Sequence, residues 1–223
     1  MKSIKIKDIV SDDYFLNEAF RTVRTNIMFC CFDAKVLSFT SCNPSEGKST
    51  ISFEVAKSIA KTGKKVLFVD ADMRKSKFMV KYTDENVEKG LSCFLSNQAD
   101  IGEVLYATDI DNLYIVTSGT YPPNPAELLA GSIFADFVKD AKENFDFVII
   151  DTPPLGLVSD AMACISRSDG AVIIVSSEKT SLRHAKEIKK QISAAGVKII
   201  GCILNNVHEK SKKYYYYSDS KKA

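Results

Sequence analysis

The chain has no apolar run approaching the ~20 residues that a membrane-spanning helix needs. That argues against an integral membrane protein. Its start, Met1-Lys2-Ser3-Ile4-Lys5-Ile6-Lys7-Asp8, alternates apolar and charged residues and has no apolar signal-peptide core. An intracellular protein is therefore expected. None of the six cysteines (Cys30, Cys31, Cys42, Cys93, Cys164 and Cys202) stands in Cys-x-x-Cys spacing. That pattern argues against zinc and iron–sulfur sites and reads as small buried hydrophobes with free thiols. A net charge of +2 is too small to argue for a nucleic-acid partner. No internal repeat is visible.

What is present fits a folded α/β protein. The 223 residues allow one domain, at most two. Such a chain can bury roughly 70% of its unfolded surface. The 45% hydrophobic and 26% charged content is that of a globular protein. Strand-like runs recur at 36–40, 66–69, 113–117, 146–150, 171–176 and 198–204. Helix-like segments fall between most of them, at 48–62, 126–143, 157–166 and 181–195, and 90–106 reads as one or two short helices. Continuous apolar runs such as Phe147-Val148-Ile149-Ile150 suit strands buried on both faces. The alternation predicts a mostly parallel sheet with helices on both sides. A further helix is expected at about 12–29, with Phe15, Ala19, Val23 and Ile27 as its apolar stripe. Residues 1–207 read as one domain. Residues 208–223 are lysine- and serine-rich, lack the apolar periodicity to pack, and read as a disordered tail.

All six prolines follow strands: Pro44 after the first, Pro122, Pro123 and Pro125 after the third, Pro153 and Pro154 after the fourth. Prolines favour loops in general, but here they mark one rim, the carboxyl ends of the strands, where open α/β sheets bind ligands.

At that rim stands Thr40-Ser41-Cys42-Asn43-Pro44-Ser45-Glu46-Gly47-Lys48-Ser49-Thr50. A strand, a loop ending Gly-Lys-Ser and a helix form the context of a phosphate-binding loop. The loop Pro44, Ser45, Glu46, Gly47, Lys48, Ser49 and Thr50, through the backbone N–H groups that follow the proline, can face a triphosphate at the helix start. Lys48 can reach the outer phosphates, and the Ser49 hydroxyl can ligand Mg²⁺. The first glycine of the usual motif is missing, because Cys42 stands six residues before Lys48. A nucleotide is implied, in an unusual subclass of loop.

Two acidic strand ends accompany it. Asp70-Ala71-Asp72-Met73-Arg74 follows Val66-Leu67-Phe68-Val69. Of Asp70 and Asp72, one can accept a proton from an incoming hydroxyl while the other holds Mg²⁺ directly or through water. Asp151 follows the run ending at Ile150 and can orient Mg²⁺ or its water, the usual Walker B arrangement. A lone Asp at a strand end is commonly a turn residue. Three of them in step with a Gly-Lys-Ser loop are not so easily explained. Arg74 can stabilise phosphate charge or pair with a neighbouring acid. Glu18, Arg21 and Arg24, three residues apart, form one slanted charged stripe on the early helix; alone, such a stripe reads as a solvated face with weak ion pairs.

The segments 41–49, Asp70-Ala71-Asp72-Met73-Arg74 and Val148-Ile149-Ile150-Asp151-Thr152-Pro153-Pro154 resemble the Walker A, A′ and B motifs of the bacterial tyrosine kinases, the autokinases of capsule and exopolysaccharide production. The resemblance covers essentially the whole chain. It implies a P-loop NTPase-like fold and ATP with Mg²⁺ as cofactors, with Lys48, Asp70, Asp72 and Asp151 carrying the chemistry and Ser49, Asp70, Asp72 and Asp151 on the metal. It implies that Glu18, Arg21 and Arg24 lie at the interface of a ring-shaped homo-oligomer, formed when unphosphorylated. Tyr214, Tyr215, Tyr216 and Tyr217 match the family's autophosphorylated cluster. Asn205, after the last strand, matches an asparagine that related P-loop proteins place near adenine, although a turn residue is the plainer reading. Some family members are fused to a transmembrane chain-length regulator. Without a membrane span, this chain looks like the split form, cytoplasmic and recruited to the inner face of the plasma membrane by a separate activator, with a cognate phosphotyrosine phosphatase.

The competing readings are a partition-type P-loop ATPase and a nucleotide-gated scaffold. The first carries a signature lysine where this chain has Asn43, five residues before Lys48, and lacks a run of tail tyrosines. An iron–sulfur carrier ATPase is disfavoured by the missing Cys-x-x-Cys.

Overall fold

The computed structural model describes residues 2–10, 13–31 and 33–207. The tail 208–223, with Tyr214, Tyr215, Tyr216 and Tyr217, lies outside them. In chain order the first elements are β1 (Lys2–Ile4), α1 (Tyr14–Cys30), β2 (Val36–Ser41), α2 (Lys48–Ala60), β3 (Val66–Asp70) and α3 (Phe78–Tyr82). Then come α4 (Leu91–Leu95), α5 (Ile101–Val104), β4 (Leu105–Thr108), β5 (Leu113–Val116), α6 (Pro125–Ala130) and α7 (Ser132–Asn144). The last are β6 (Phe147–Asp151), α8 (Asp160–Ile165), β7 (Gly170–Ser176), α9 (Leu182–Ala194) and β8 (Ile199–Asn205).

Among the described residues, eight strands form one sheet in the order β1-β4-β5-β3-β6-β2-β7-β8. All neighbouring pairs are parallel except β4 and β5. The central strands alternate side chains between two apolar layers, as period-two geometry requires. Leu37, Phe39, Phe68, Ile115 and Ile149 point into the layer built with α1 and α2. Val36, Leu67, Val69, Val116, Val148 and Ile150 point into the opposite layer with α4, α6, α7 and α8. Ala171 and Ile173 pack with Ile188 and Ile192 of α9 in a third cluster. The six expected strands and the two-sided helical cover are therefore present.

Four expectations change. The single helix at 126–143 is two, because Gly131 is extended (ψ 166°) and breaks it. Residues 90–106 hold two short helices as expected, but their end is the strand β4, too short to register as one in the sequence. The alternating N-terminus is the edge strand β1 beside it. On α1 the inward stripe runs through Phe20, Val23 and Ile27, whereas Phe15 and Ala19 are exposed. Phe15 is 63% exposed, so the expected stripe is displaced by part of a turn at the helix start.

Candidate active site

The site lies where β2, β3 and β6 end side by side. Registry sets it: Phe39 of β2 pairs with Asp151, and Asp70 pairs with Asp151 across β3 and β6. The chain beyond β6 is zipped to β2, because the Thr152 hydroxyl donates to the Phe39 carbonyl at 3.0 Å and the Leu155 N–H to the Ser41 carbonyl at 2.9 Å. Asp151 therefore sits on a rigid, fully buried strand end.

The phosphate loop runs from β2 into α2. Gly47 precedes Lys48 at φ +88°, in the left-handed region that glycine enters without strain. A Cβ there would also stand 2.2 Å from Asn205 Nδ2, so two requirements meet at this position. Pro44 and Ser45 form the exposed crest, and Ser45 is itself at φ +59°.

Lys48 is buried and donates to Asp151 Oδ1 at 2.7 Å. It lies 3.3 Å from the Ser49 hydroxyl. Ser52, one turn on, also donates to Asp151 Oδ1, at 3.0 Å. Among the described residues the other Asp151 oxygen, Oδ2, is buried and has no hydrogen-bond partner. A buried acceptor with no donor is costly and is what a carboxylate awaiting a cation presents. Burial and the neighbouring Asp151 charge push the Asp70 carboxyl up to about 7. Asp70 accepts the Ser76 hydroxyl on Oδ2 and the Asp72 N–H on Oδ1. Asp72 is half-buried at the rim, where its Oδ1 accepts the N–H groups of Arg74 and Lys75 at 3.3 and 3.1 Å.

Among the described residues no three His, Cys, Asp or Glu side chains gather closely enough to hold a metal by themselves. Mg²⁺ takes one or two carboxylates and completes its shell with water and phosphate oxygens. The unpartnered Asp151 oxygen and the nearby Ser49 hydroxyl fit that donor set.

Several partners were not legible in the sequence, although for Arg74 one of the two expected roles is the one found. Arg74 pairs with an acid: its Nε and Nη2 donate to Asp160 at 2.6 and 3.0 Å, a bidentate bridge from the loop after β3 to the start of α8. Asp160 is itself buried. The Thr50 hydroxyl accepts Lys81 Nζ at 2.5 Å. Glu46 turns its side chain back into its own loop, where it accepts the N–H groups of Cys42 and Asn43. Asn205 does reach the loop, donating from Nδ2 to the Glu46 carbonyl at 2.9 Å. Thus residues 44–50, Asp70, Asp72, Asp151 and Asn205 share one rim. Glu18, Arg21 and Arg24 lie on α1 instead. Glu18 and Arg21 pair at 3.3 Å in the open, while Arg24 turns toward α2 and donates to the Ser58 carbonyl at 3.3 Å. The six cysteines are free thiols, two of them exposed.

A left-handed glycine before a buried lysine, carboxylates at two adjacent strand ends and a mostly parallel sheet define a P-loop NTPase-like domain. A family model described as an AAA domain matches residues 34–199. The tyrosine-protein kinase CpsD of Streptococcus agalactiae is 39% identical over 202 residues, which is 91% of this chain and 88% of that protein. The tyrosine-protein kinase YwqD of Bacillus subtilis (strain 168) is 37% identical over 204 residues, 90% of this chain and 86% of that protein. The crystal structure of the chimerical protein CapA2B2 superposes with a TM-score of 0.83 at 36% identity, covering 93% of this chain and 94% of that one. The chain belongs to the bacterial tyrosine-protein kinase family, and its enzyme class is protein-tyrosine kinase.

Proposed function

We propose that this protein is an ATP-dependent autokinase that transfers the γ-phosphate to tyrosines of the 208–223 tail on a neighbouring copy, and so regulates capsule or exopolysaccharide synthesis and export. The observation that carries the chemical part is the Lys48–Asp151–Asp70 cluster at the mouth of the phosphate loop.

Its residues divide the work. The loop N–H groups and Lys48 bind the phosphates, Lys48 leaving Asp151 to do so. Mg²⁺, held by Ser49 and Asp151 with Asp70 alongside, would neutralise charge on the β- and γ-phosphate oxygens. Of Asp70 and Asp72, the second, at the half-exposed rim, would take the phenol proton, since a free phenol has a pKa near 10 and needs assistance. The tyrosine oxygen then bonds to the γ-phosphorus, the bond from that phosphorus to the β,γ-bridging oxygen breaks, and ADP leaves. Asn205, bonded to the loop through the Glu46 carbonyl, is read as a residue that would lie near the adenine.

Recruitment belongs to the same reading. Among the described residues no helix is long and apolar enough to cross a membrane. A separate transmembrane activator would bring the kinase to the inner face of the membrane, a phosphotyrosine phosphatase would reset it, and activity without the activator would be weak. Each phosphate adds nearly two negative charges. Several on adjacent tyrosines would repel one another and the aspartates of the site, releasing the tail and dissociating the ring.

The test is to incubate pure protein with Mg-ATP and map phosphate by mass spectrometry. Phosphate on Tyr214, Tyr215, Tyr216 or Tyr217, absent in Lys48→Met, is the expected result. ATP consumed with every tyrosine unmodified would instead mark an ATPase.

A further inference from the structure

Within the phosphate loop lies a carboxylate whose contacts are all with protein groups. Glu46 is fully buried. Its Oε2 accepts the N–H of Cys42 at 2.9 Å and of Asn43 at 3.0 Å. Its Oε1 accepts the Asn43 side-chain amide at 2.9 Å and the hydroxyl of Thr180. All four donors are neutral. A buried charge held by neutral donors depends on every one of them, because the cost of burial is not offset by a counter-ion.

Thr180 comes from a different part of the chain, the turn between β7 and α9. Its oxygen is committed twice. It accepts the N–H of Ser176, the last residue of β7, at 2.9 Å, and it gives its own proton to Glu46. The main chain of Glu46 is tied separately to β8 through Asn205. Lys179, beside Thr180, reaches the Ser45 carbonyl at 3.4 Å. The loop is thus fastened to the ends of the next two strands, β7 through the Glu46 side chain and β8 through its carbonyl. Of these ties, the Thr180 hydroxyl is the one that reaches the carboxylate from outside the loop.

We propose that Thr180 is a positioning residue for nucleotide binding. Its hydroxyl holds the Glu46 carboxylate, which holds the Cys42 and Asn43 backbone, and the loop keeps the shape that receives the phosphates. The inference rests on the reading that this loop binds ATP. Without the hydroxyl, Oε1 keeps one donor, and the buried carboxylate must draw in water or pull away from its seat, opening the loop before any nucleotide arrives. Valine matches threonine in shape and removes only the donor and acceptor. Serine restores both.

The experiment titrates wild type, Thr180→Val and Thr180→Ser with a fluorescent ADP analogue and Mg²⁺, and measures amide hydrogen exchange over 40–47 without nucleotide. The valine variant is expected to bind roughly ten-fold more weakly, the loss of one hydrogen bond to a charged group. The KM for ATP should rise in step while kcat stays within about two-fold, since binding and not chemistry is affected. Cys42 and Asn43 should exchange faster in the nucleotide-free valine variant, and serine should restore both readouts. Wild-type affinity in Thr180→Val, serine as weak as valine, or unchanged exchange at Cys42 and Asn43 would each overturn the proposal. If the valine variant does not fold, Thr180→Ala carries the same expectations. If wild type binds no nucleotide, the ATP reading fails, and the exchange comparison alone decides whether Thr180 holds the loop.

Discussion

Lys48 rests on Asp151 at 2.7 Å, a contact that joins the phosphate loop to the end of β6. The spacing of Gly47, Lys48 and Ser49 identifies a phosphate loop because the backbone geometry of that loop admits few residue types. Strand-end aspartates identify themselves by following four apolar residues. Asp160 has no such signal. It stands 86 residues from Arg74, and only the fold brings the two together. Glu46 is a related case: its place in the loop suggests a role toward the nucleotide, but the structure commits its side chain to its own backbone. Asp169 was also silent in the sequence. It accepts the N–H groups of Lys35 and Val36, each at 2.9 Å, and pairs with Lys142. Burial alone would raise its carboxyl, but the Lys142 bond and the two N–H bonds outweigh burial and hold it below the usual range. A depressed carboxylate stabilises the fold above its unfolded pKa and loses that contribution as pH falls through the folded value. Asp169→Asn should therefore cost about 1–2 kcal/mol at neutral pH and flatten the decline in stability below about pH 4. Urea unfolding of both proteins from pH 3 to 7 measures it. Equal stability at pH 7 would remove Asp169 from the account.

At the scale of elements, the apolar runs of β2, β3, β5, β6 and β7 were visible because buried strands are apolar on both faces, and β8 was visible through its apolar run although it is a partly exposed edge strand. β1 and β4 were not, since strands of three and four residues carry too little pattern. The early helix was legible as a helix but not in its facing. A spacing of four selected Phe15 and Ala19, whereas packing against α2 selects Phe20, Val23 and Ile27. α2 carries the loop's lysine at one end, and its inner face is fixed by Phe53, whose ring meets Phe68, Phe78 and Tyr82 at 5.1, 4.8 and 4.4 Å between centroids. Phe53→Ala should cost about 3–5 kcal/mol, the range for deleting a buried aromatic ring. Chemical denaturation reads this, and a loss under about 1 kcal/mol would mean that α2 is not anchored there. The charged stripe on α1 divides in two. Glu18 and Arg21 are free to meet another copy, while Arg24 is engaged with Ser58. Glu18→Ala with Arg21→Ala should give monomers with unfolding free energy unchanged within about 0.5 kcal/mol. Arg24→Ala should in addition cost about 1 kcal/mol through its lost hydrogen bonds. Light scattering and denaturation separate the two. Oligomers persisting in the double variant would place the interface elsewhere.

For the whole molecule, the proposed reaction joins a donor site at the end of the sheet to tyrosines in a segment beyond β8. The donor half was legible almost entirely in the sequence, because phosphate chemistry constrains its residues. The proposed acceptor half is a tyrosine cluster in the sequence, and its four residues lie outside the described structure. Transfer between copies is the central claim, and a mixing experiment tests it most directly. One partner is Lys48→Met with its tail intact, checked for native folding. The other is an active chain carrying Tyr→Phe at 214, 215, 216 and 217. Neither should accumulate tail phosphotyrosine alone. Incubated together with Mg-ATP, the Lys48→Met tail is predicted to become phosphorylated, as read by mass spectrometry. A mixture in which the Lys48→Met tail stays unmodified, while wild type alone labels its own, would contradict transfer between copies.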